Sequence, residues 1–504
     1  MNTTPRPLSS LLDDAVGLYG DSVALRMGLK ELTYRELDYA VDRCAGHLAQ
    51  SGVGSGSRVG LSAGNGIEFV AVVLATMRLG AVIVMISTAW RDREVAHAIE
   101  ITAPTHLVHD GSGATNLDEL VRDRPVIHTD ALGGSASYDA LGGSASYGIV
   151  PTPVIDVDDL AVMVFSSGTT GMPKAVCHSH RTMYHGTLHW VQTLGLTNDD
   201  RLQIATPPFH ILGLLNLFAV VAAGASVRLH RRFDLDAVLT AVQTDRITIE
   251  MAVAPIALAM ASHASIEEFD LSSLRYIMWG ATPVTPSVAE TVTRRTGVRF
   301  LPAYGASELP VLAVNPVDRP DEWRLDSVGI APIGVELRVV DIESGQILGP
   351  GETGELHGRS ASMMLGYLPE DANGDAIVDG WYRTGDVGAL DADGWVTITD
   401  RVKEMIKVNG FQVAPAEIET MLLGHPDVVD CAVFGVPDNR VGEAVIAAVV
   451  RAPSSNVTAD DLRSLVAREL ASYKRISHVQ FLDQIPRLPS GKVLRRELKA
   501  NYRS

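Results

Sequence analysis

Cysteine is scarce in this chain of 504 residues: Cys44, Cys177 and Cys431 stand far apart and form no CxxC pair. That argues against a disulfide framework or a cysteine-built metal site, and it fits a reducing, cytoplasmic setting. Positive charge is also in short supply, with 42 Lys and Arg against 60 Asp and Glu and a formal net charge of −18. Proteins that hold nucleic acid or anionic lipid need the opposite excess, so neither is an expected partner. The longest membrane-like stretch, Phe69–Ile86, is broken by Arg78 and Gly80. It reads as a buried helix ending at a glycine and followed by a strand. The first residues include Asp13 and Asp14 and lack the basic-then-apolar order of a signal segment. Neither a Walker A loop nor a GxGxxG turn after a strand is found.

What is present is ample apolar material, 46% of residues against 20% charged. At this length, roughly two to four domains are expected. Helical and strand patterns alternate through about the first 300 residues. Leu32–Gln50 has helical spacing, with Thr33 and Glu36 placed as a capping box; Ser57–Ala63 reads as a strand and Gly66–Leu79 as a helix. The alternation predicts α/β layers with largely parallel sheets. A verbatim repeat, DALGGSASY at 130–138 and 139–147, reads as a surface loop. After Gly329 short strand-like runs with Gly-rich turns predict a β-rich subdomain. Strand–helix alternation restarts near Val402. The expected architecture is therefore α/β: a large N-terminal domain over residues 1–400, with two α/β sheets plus the β-rich subdomain, and a small mobile α+β domain over 401–504.

The strongest local feature is AVMVFSSGTTGMPKAV, residues 161–176. An apolar strand, Val162–Phe165, runs straight into glycines, hydroxyls and a lysine. Glycine lets backbone approach a ligand closely, successive N–H groups converge on an anion, and Ser166, Ser167, Thr169, Thr170 and Lys174 add donors and charge. A polyphosphate needs many such donors at once. A plain Ser/Thr/Gly surface turn has the same composition, and the flanking strand and Pro-Lys pair favour the phosphate reading.

Together with further motifs in order, this loop resembles the acyl-adenylate-forming superfamily: acyl-CoA synthetases, aryl-CoA ligases, luciferase-like enzymes and peptide-synthetase adenylation domains. The resemblance runs from about Leu11 to about Ala500. It implies that Ser166, Ser167, Gly168, Thr169, Thr170, Gly171 and Lys174 cradle the phosphates of ATP. PPFHILG places His210 where the nucleotide and acyl pockets meet. Gly280, Ala281 and Thr282 of YIMWGATP, with Ala303, Tyr304 and Gly305 of AYGASE, line the nucleotide pocket. By the same match Tyr304 covers the adenine, Ser307 touches phosphate, and Glu308 with Thr170 holds Mg2+. Asp386 of WYRTGD accepts the ribose hydroxyls and Arg401 contacts the ribose. Lys403 is the hinge of the small domain, Lys407 and Gly410 belong to the thiol-transfer segment, and Lys492 of PRLPSGKVLRREL is the adenylation lysine. The histidines His178, His180, His185 and His189, beside Cys177, match no common zinc spacing and read as helix-entry and pocket-wall residues.

The resemblance implies a ligase that turns a carboxylic acid into an acyl-adenylate and passes the acyl group to a pantetheine thiol. The thiol is that of CoA, or alternatively that of an acyl carrier protein; a homodimer is left open. A catalytically silent homologue is the reading of another class, against which the intact Lys174, Glu308, Asp386 and Lys492 speak. Relatives that take α-amino acids carry an Asp beside the motif where this chain has Phe209-His210, so an amino acid is disfavoured. By the same resemblance Trp279 stands where a small residue is usual, and a large indole there would shorten or bend the acyl pocket, or else rotate away as a gate. The expected substrate is then a short- to medium-chain fatty acid.

Overall fold

The computed structural model describes residues 4–113, 120, 124–132, 153–166, 172–280, 284, 286–409, 411–438, 440–453, 455–487 and 493–502. The repeat at 133–147, the tip of the phosphate loop (167–171), Ala281, Thr282, Gly410 and Lys492 lie outside them.

Among the described residues four sheets form. The first has the strand order Ala313–Val314, Phe300–Tyr304, Tyr276–Trp279, Ile249–Ala252, Arg201–Ile204, Ser226–Leu229, Val23–Met27 and Lys30–Thr33, parallel except at its two ends. The second runs Gly366–Leu368, Lys174–Ser179, Leu160–Ser166, Val82–Met85, Arg58–Ser62, His106–His109 and Val126–His128. The third is antiparallel and β-rich, built from Val335–Val340, Gly354–Ser360, Trp381–Leu390, Ile377–Val378 and Val396–Arg401. The fourth lies in the C-terminal region, where Val428–Asp438 and Gly442–Arg451 pair over ten residues or so and helices Pro415–Leu423 and Ala459–Glu469 supply the rest of that core. Sheet membership changes between Arg401 and Ile406.

Local sequence accounts for these elements. Ala161–Phe165 is apolar at every position, and the strand Leu160–Ser166 is buried on both faces, as a central strand of an α/β sheet must be. The helix Ile211–Ala223 is largely buried and apolar except for Asn216, whose Oδ1 accepts from Trp190 Nε1 at 2.7 Å, and it ends at Gly224 with φ 70°, where a residue without Cβ closes the turn. The capping box of Thr33 and Glu36 forms as expected; Leu32 and Thr33 themselves join the preceding strand, so the helix is Tyr34–Gln50. One continuous core joins the two large sheets through this helix, Ile67–Arg78, His180–Leu194 and Ile211–Ala223. A second core lies on the other face of the first sheet, beneath Leu235–Asp245, Ala254–Ser262 and Pro286–Thr296. No helix among the described residues is long and apolar enough to cross a membrane.

Candidate active site

The two strands that flank the phosphate loop pair with each other. Leu160–Ser166 and Lys174–Ser179 pair antiparallel, and Ser166 stands opposite Lys174 at the base. On its other edge the Lys174–Ser179 strand takes Gly366–Leu368, with Tyr367 opposite Val176. That pairing brings Tyr367 beneath the lysine: the Lys174 ammonium stands 5.2 Å from the ring centroid, and Lys174 Nζ also donates to the Ala372 carbonyl at 3.4 Å.

The tyrosine hydroxyl reaches the next motif, donating to Glu308 Oε1 at 2.8 Å. Glu308 is buried, and its backbone carbonyl accepts from Met364 N at 2.8 Å. Ser307, next to it, has its carbonyl held by His178 Nε2 at 2.8 Å, so that histidine serves the YGASE turn. The turn needs Gly305: a Cβ there would lie 2.0 Å from the Pro310 carbonyl oxygen.

Asp386 comes from the β-rich sheet. The Tyr304 hydroxyl donates to its Oδ2 at 2.6 Å, and Arg401 Nε, across the ladder in the neighbouring strand, pairs with its Oδ1 at 2.8 Å. Glu355 braces this turn, accepting from Gly385 N at 3.2 Å and from Arg383 Nη2 at 2.8 Å. Tyr382 closes the cluster. Burial first, then the fields of Glu308, Tyr367, Tyr304 and Asp386, push its phenol well above the ordinary range. Burial and the Asp386 carboxylate do the same to Tyr304. Lys174, Glu308, Tyr304, Asp386 and Arg401, from four separate segments, thus meet in one polar cluster stitched by Tyr367 and Tyr382.

His210 is the residue preceding the Ile211–Ala223 helix, its ring 4.7 Å from that of Phe209. It is solvent-accessible, yet the surrounding protein disfavours its charged form and lowers its pKa, so it presents a neutral imidazole. Ile211 and Leu212, which follow it in the chain, are partly buried apolar side chains packed on the main core, as are Ala303 and Ala306 on either side of Tyr304 in the chain. Lys403 lies in the turn after the Val396–Arg401 strand; Lys407 is exposed in Ile406–Val408, two residues before Asn409 with φ 50°. Asp400 joins the β-rich sheet to the C-terminal region, its Oδ2 accepting from Ala416 N at the start of a helix at 2.9 Å.

The expected role of Trp279 needs correction. Its indole is 0% exposed and packs on Phe300 at 5.4 Å within the second core. Strand alternation sends Met278 to the face carrying Ile211–Ala223 and Trp279 to the opposite one. Trp279 borders no open pocket, so the argument for a shortened acyl chain lapses. Among the described residues no group of three or more His, Cys, Asp or Glu could hold a metal ion; His180 Nδ1 instead accepts from Leu8 N at 3.2 Å. Tyr367, Tyr382 and Glu355 went unnoticed in the sequence. Tyr382 lies inside WYRTGD and could have been found there, whereas GYLPEDANGD carries no comparable signal around Tyr367.

Known proteins resemble the chain over nearly its whole length. A family model described as AMP-binding enzyme matches residues 12–368, and one described as AMP-binding enzyme C-terminal domain matches residues 417–492. The chain is 34% identical over 482 residues to 4-coumarate–CoA ligase 3 of Oryza sativa subsp. japonica, covering 93% of this chain and 87% of that protein. It is 33% identical over 481 residues to peroxisomal OPC-8:0-CoA ligase 1 of Arabidopsis thaliana, covering 93% and 88%. Among solved structures, ATP-bound MatB from Rhodopseudomonas palustris superposes with a TM-score of 0.89 at 28% identity, covering 99% of each chain.

Proposed function

Since the chain belongs to the AMP-binding enzyme family, we propose that it activates an apolar carboxylic acid with ATP and transfers the acyl group to the thiol of CoA. One observation carries this reading: Lys174, Glu308 and Asp386, far apart in sequence, share one polar cluster.

In the first step a carboxylate oxygen attacks the α-phosphorus of ATP, the bond to the β-phosphate oxygen breaks, and pyrophosphate leaves. The acid is already ionised at neutral pH, so no general base is needed. Asp386 and Arg401 would hold the ribose. Both oxygens of Asp386 already accept from Tyr304 and Arg401, so the position is built for donors of the kind ribose hydroxyls present. Ser166 to Gly171 and Lys174 would hold the phosphates, and Lys492 would add charge where it builds up between two anions. Glu308 fits Mg2+: Oε1 is taken by Tyr367, and Oε2 accepts nothing among the described residues. The cation would supply charge neutralisation on the phosphates. In the second step the small domain turns about Lys403, withdraws Lys492 and presents the Lys407–Phe411 segment, so that the CoA thiolate attacks the adenylate carbonyl and AMP leaves.

The apolar residues that flank His210 in the chain, Phe209, Ile211 and Leu212, support an acid with an apolar body. The two relatives are named for 4-coumarate and OPC-8:0, which supports an arylpropenoic or longer acid over a short one. They also favour CoA over a carrier protein. The test is pyrophosphate release across arylpropenoic acids and straight-chain acids of four to twelve carbons, each run with CoA and with a phosphopantetheinylated carrier protein. Release with an apolar acid and acyl transfer to CoA is the expected result. Failure of every acid to release pyrophosphate would overturn the reading, and transfer to the carrier protein alone would overturn the choice of acceptor.

A further inference from the structure

Tyr367 touches both the phosphate-loop lysine and the carboxylate that would hold the cation. It is 9% exposed and Glu308 7%. The backbone that carries the phenol is fixed from several sides. Its strand is paired to Lys174–Ser179; Tyr367 N donates to Asn373 Oδ1 at 2.7 Å, and Asn373 Nδ2 donates back to the Tyr367 carbonyl at 3.2 Å. Anchored on this strand and buried, the ring can follow a swinging Glu308 only by leaving its packing beside Lys174.

A hydroxyl donating to one carboxylate oxygen has a definite consequence for a cation. It leaves one oxygen fully available and works against chelation by both. Mg2+ is small, keeps near-octahedral geometry and accepts carboxylates through single oxygens, whereas Ca2+ takes more ligands at longer range and accepts two-oxygen chelation. We propose that Tyr367 is a positioning residue that selects the cation: it holds Glu308 for single-oxygen binding and, through the same ring, sets Lys174 beside it. This rests on the assignment of Glu308 to the cation under the proposed function.

The test uses the full-length protein and its Tyr367→Phe variant, both checked by thermal unfolding. Mn2+ bound in the presence of a non-hydrolysable ATP analogue is titrated by electron paramagnetic resonance and displaced with Mg2+ or Ca2+, and cation-dependent pyrophosphate release is measured alongside. In the variant the preference for Mg2+ over Ca2+ in displacement should fall about tenfold, the effect of one charge-assisted hydrogen bond. An unchanged preference in a folded variant would overturn the proposal. If Tyr367→Phe fails to fold, 4-aminophenylalanine and 4-methylphenylalanine at position 367 give the same contrast, a donor kept against a donor lost. If the unaltered protein binds no nucleotide-dependent Mn2+, the assignment of Glu308 fails first. If it does and the variants match it, the role of Tyr367 alone fails.

Discussion

Glu250 sits in the interior of a sheet, and among the described residues no ion pair balances it. It is 2% exposed in the strand Ile249–Ala252, and its Oε2 accepts from Gln203 Nε2. The Gln203 amide also donates to the Val238 carbonyl at 3.3 Å, and its oxygen accepts from His230 Nε2 at 2.8 Å, so His230 carries its proton on that nitrogen. Burial pushes the Glu250 carboxyl from 4.5 up to about 8, hydrogen bonds from Gln203 and the Met251 amide only partly opposing it. Folded protein therefore keeps a proton that the unfolded chain releases above pH 4.5. Stability from this group is complete below that pH and is lost as pH rises through the window up to about 8. Each pH unit costs about 1.4 kcal/mol, so the full window comes to about 5 kcal/mol. Glu250→Gln keeps the shape and the acceptor for Gln203 and has no proton to lose. Urea unfolding followed by tryptophan fluorescence at pH 5.5, 6.5, 7.5 and 8.5 should show the variant gaining on the unaltered protein by about 1 kcal/mol or more per unit up to pH 8, then holding level. His230, whose pKa is lowered chiefly by burial and then by Arg228, is present in both proteins and cancels from the difference. Parallel curves for the two proteins, or a variant that loses ground with rising pH, would refute the reasoning.

Asp386→Asn removes the charge that holds Arg401 and would receive the ribose; KM for ATP should rise roughly 10- to 100-fold, as one charge-assisted hydrogen bond weakens by about 1.5–3 kcal/mol, with KM for the acid little changed. A steady-state titration of each substrate separates the two. Lys492→Ala should abolish pyrophosphate release while sparing CoA thiolysis of a supplied acyl-adenylate; loss of both half-reactions together would count against a two-state cycle. Trp279→Ala should lower stability by about 3–5 kcal/mol, as expected for a large aromatic cut from a closed core, and leave the order of preference among acids unchanged. A shift toward longer acids would restore Trp279 to the acyl pocket.

The residues that sequence could assign are those whose role is local. The capping box at Thr33, the apolar strand entering the phosphate loop and the turn before Asp386 each announce themselves within a few positions, because cap, strand and turn chemistry act between near neighbours. Trp279 was misjudged because alternation along a strand says that neighbours point apart without saying which face meets the site. That depends on which helices cover each face, and those include Ile211–Ala223 in one case and Leu235–Asp245 in the other. Tyr367 was invisible for a related reason. Its partner Glu308 is 59 residues away, and the two meet because Gly366–Leu368 adds to the edge of the phosphate hairpin. The same addition places a fixed phenol between the loop that would grip phosphates and the carboxylate that would grip their counterion. Cation choice would then be set by an edge strand of the fold, through a residue outside every motif that marks the chemistry.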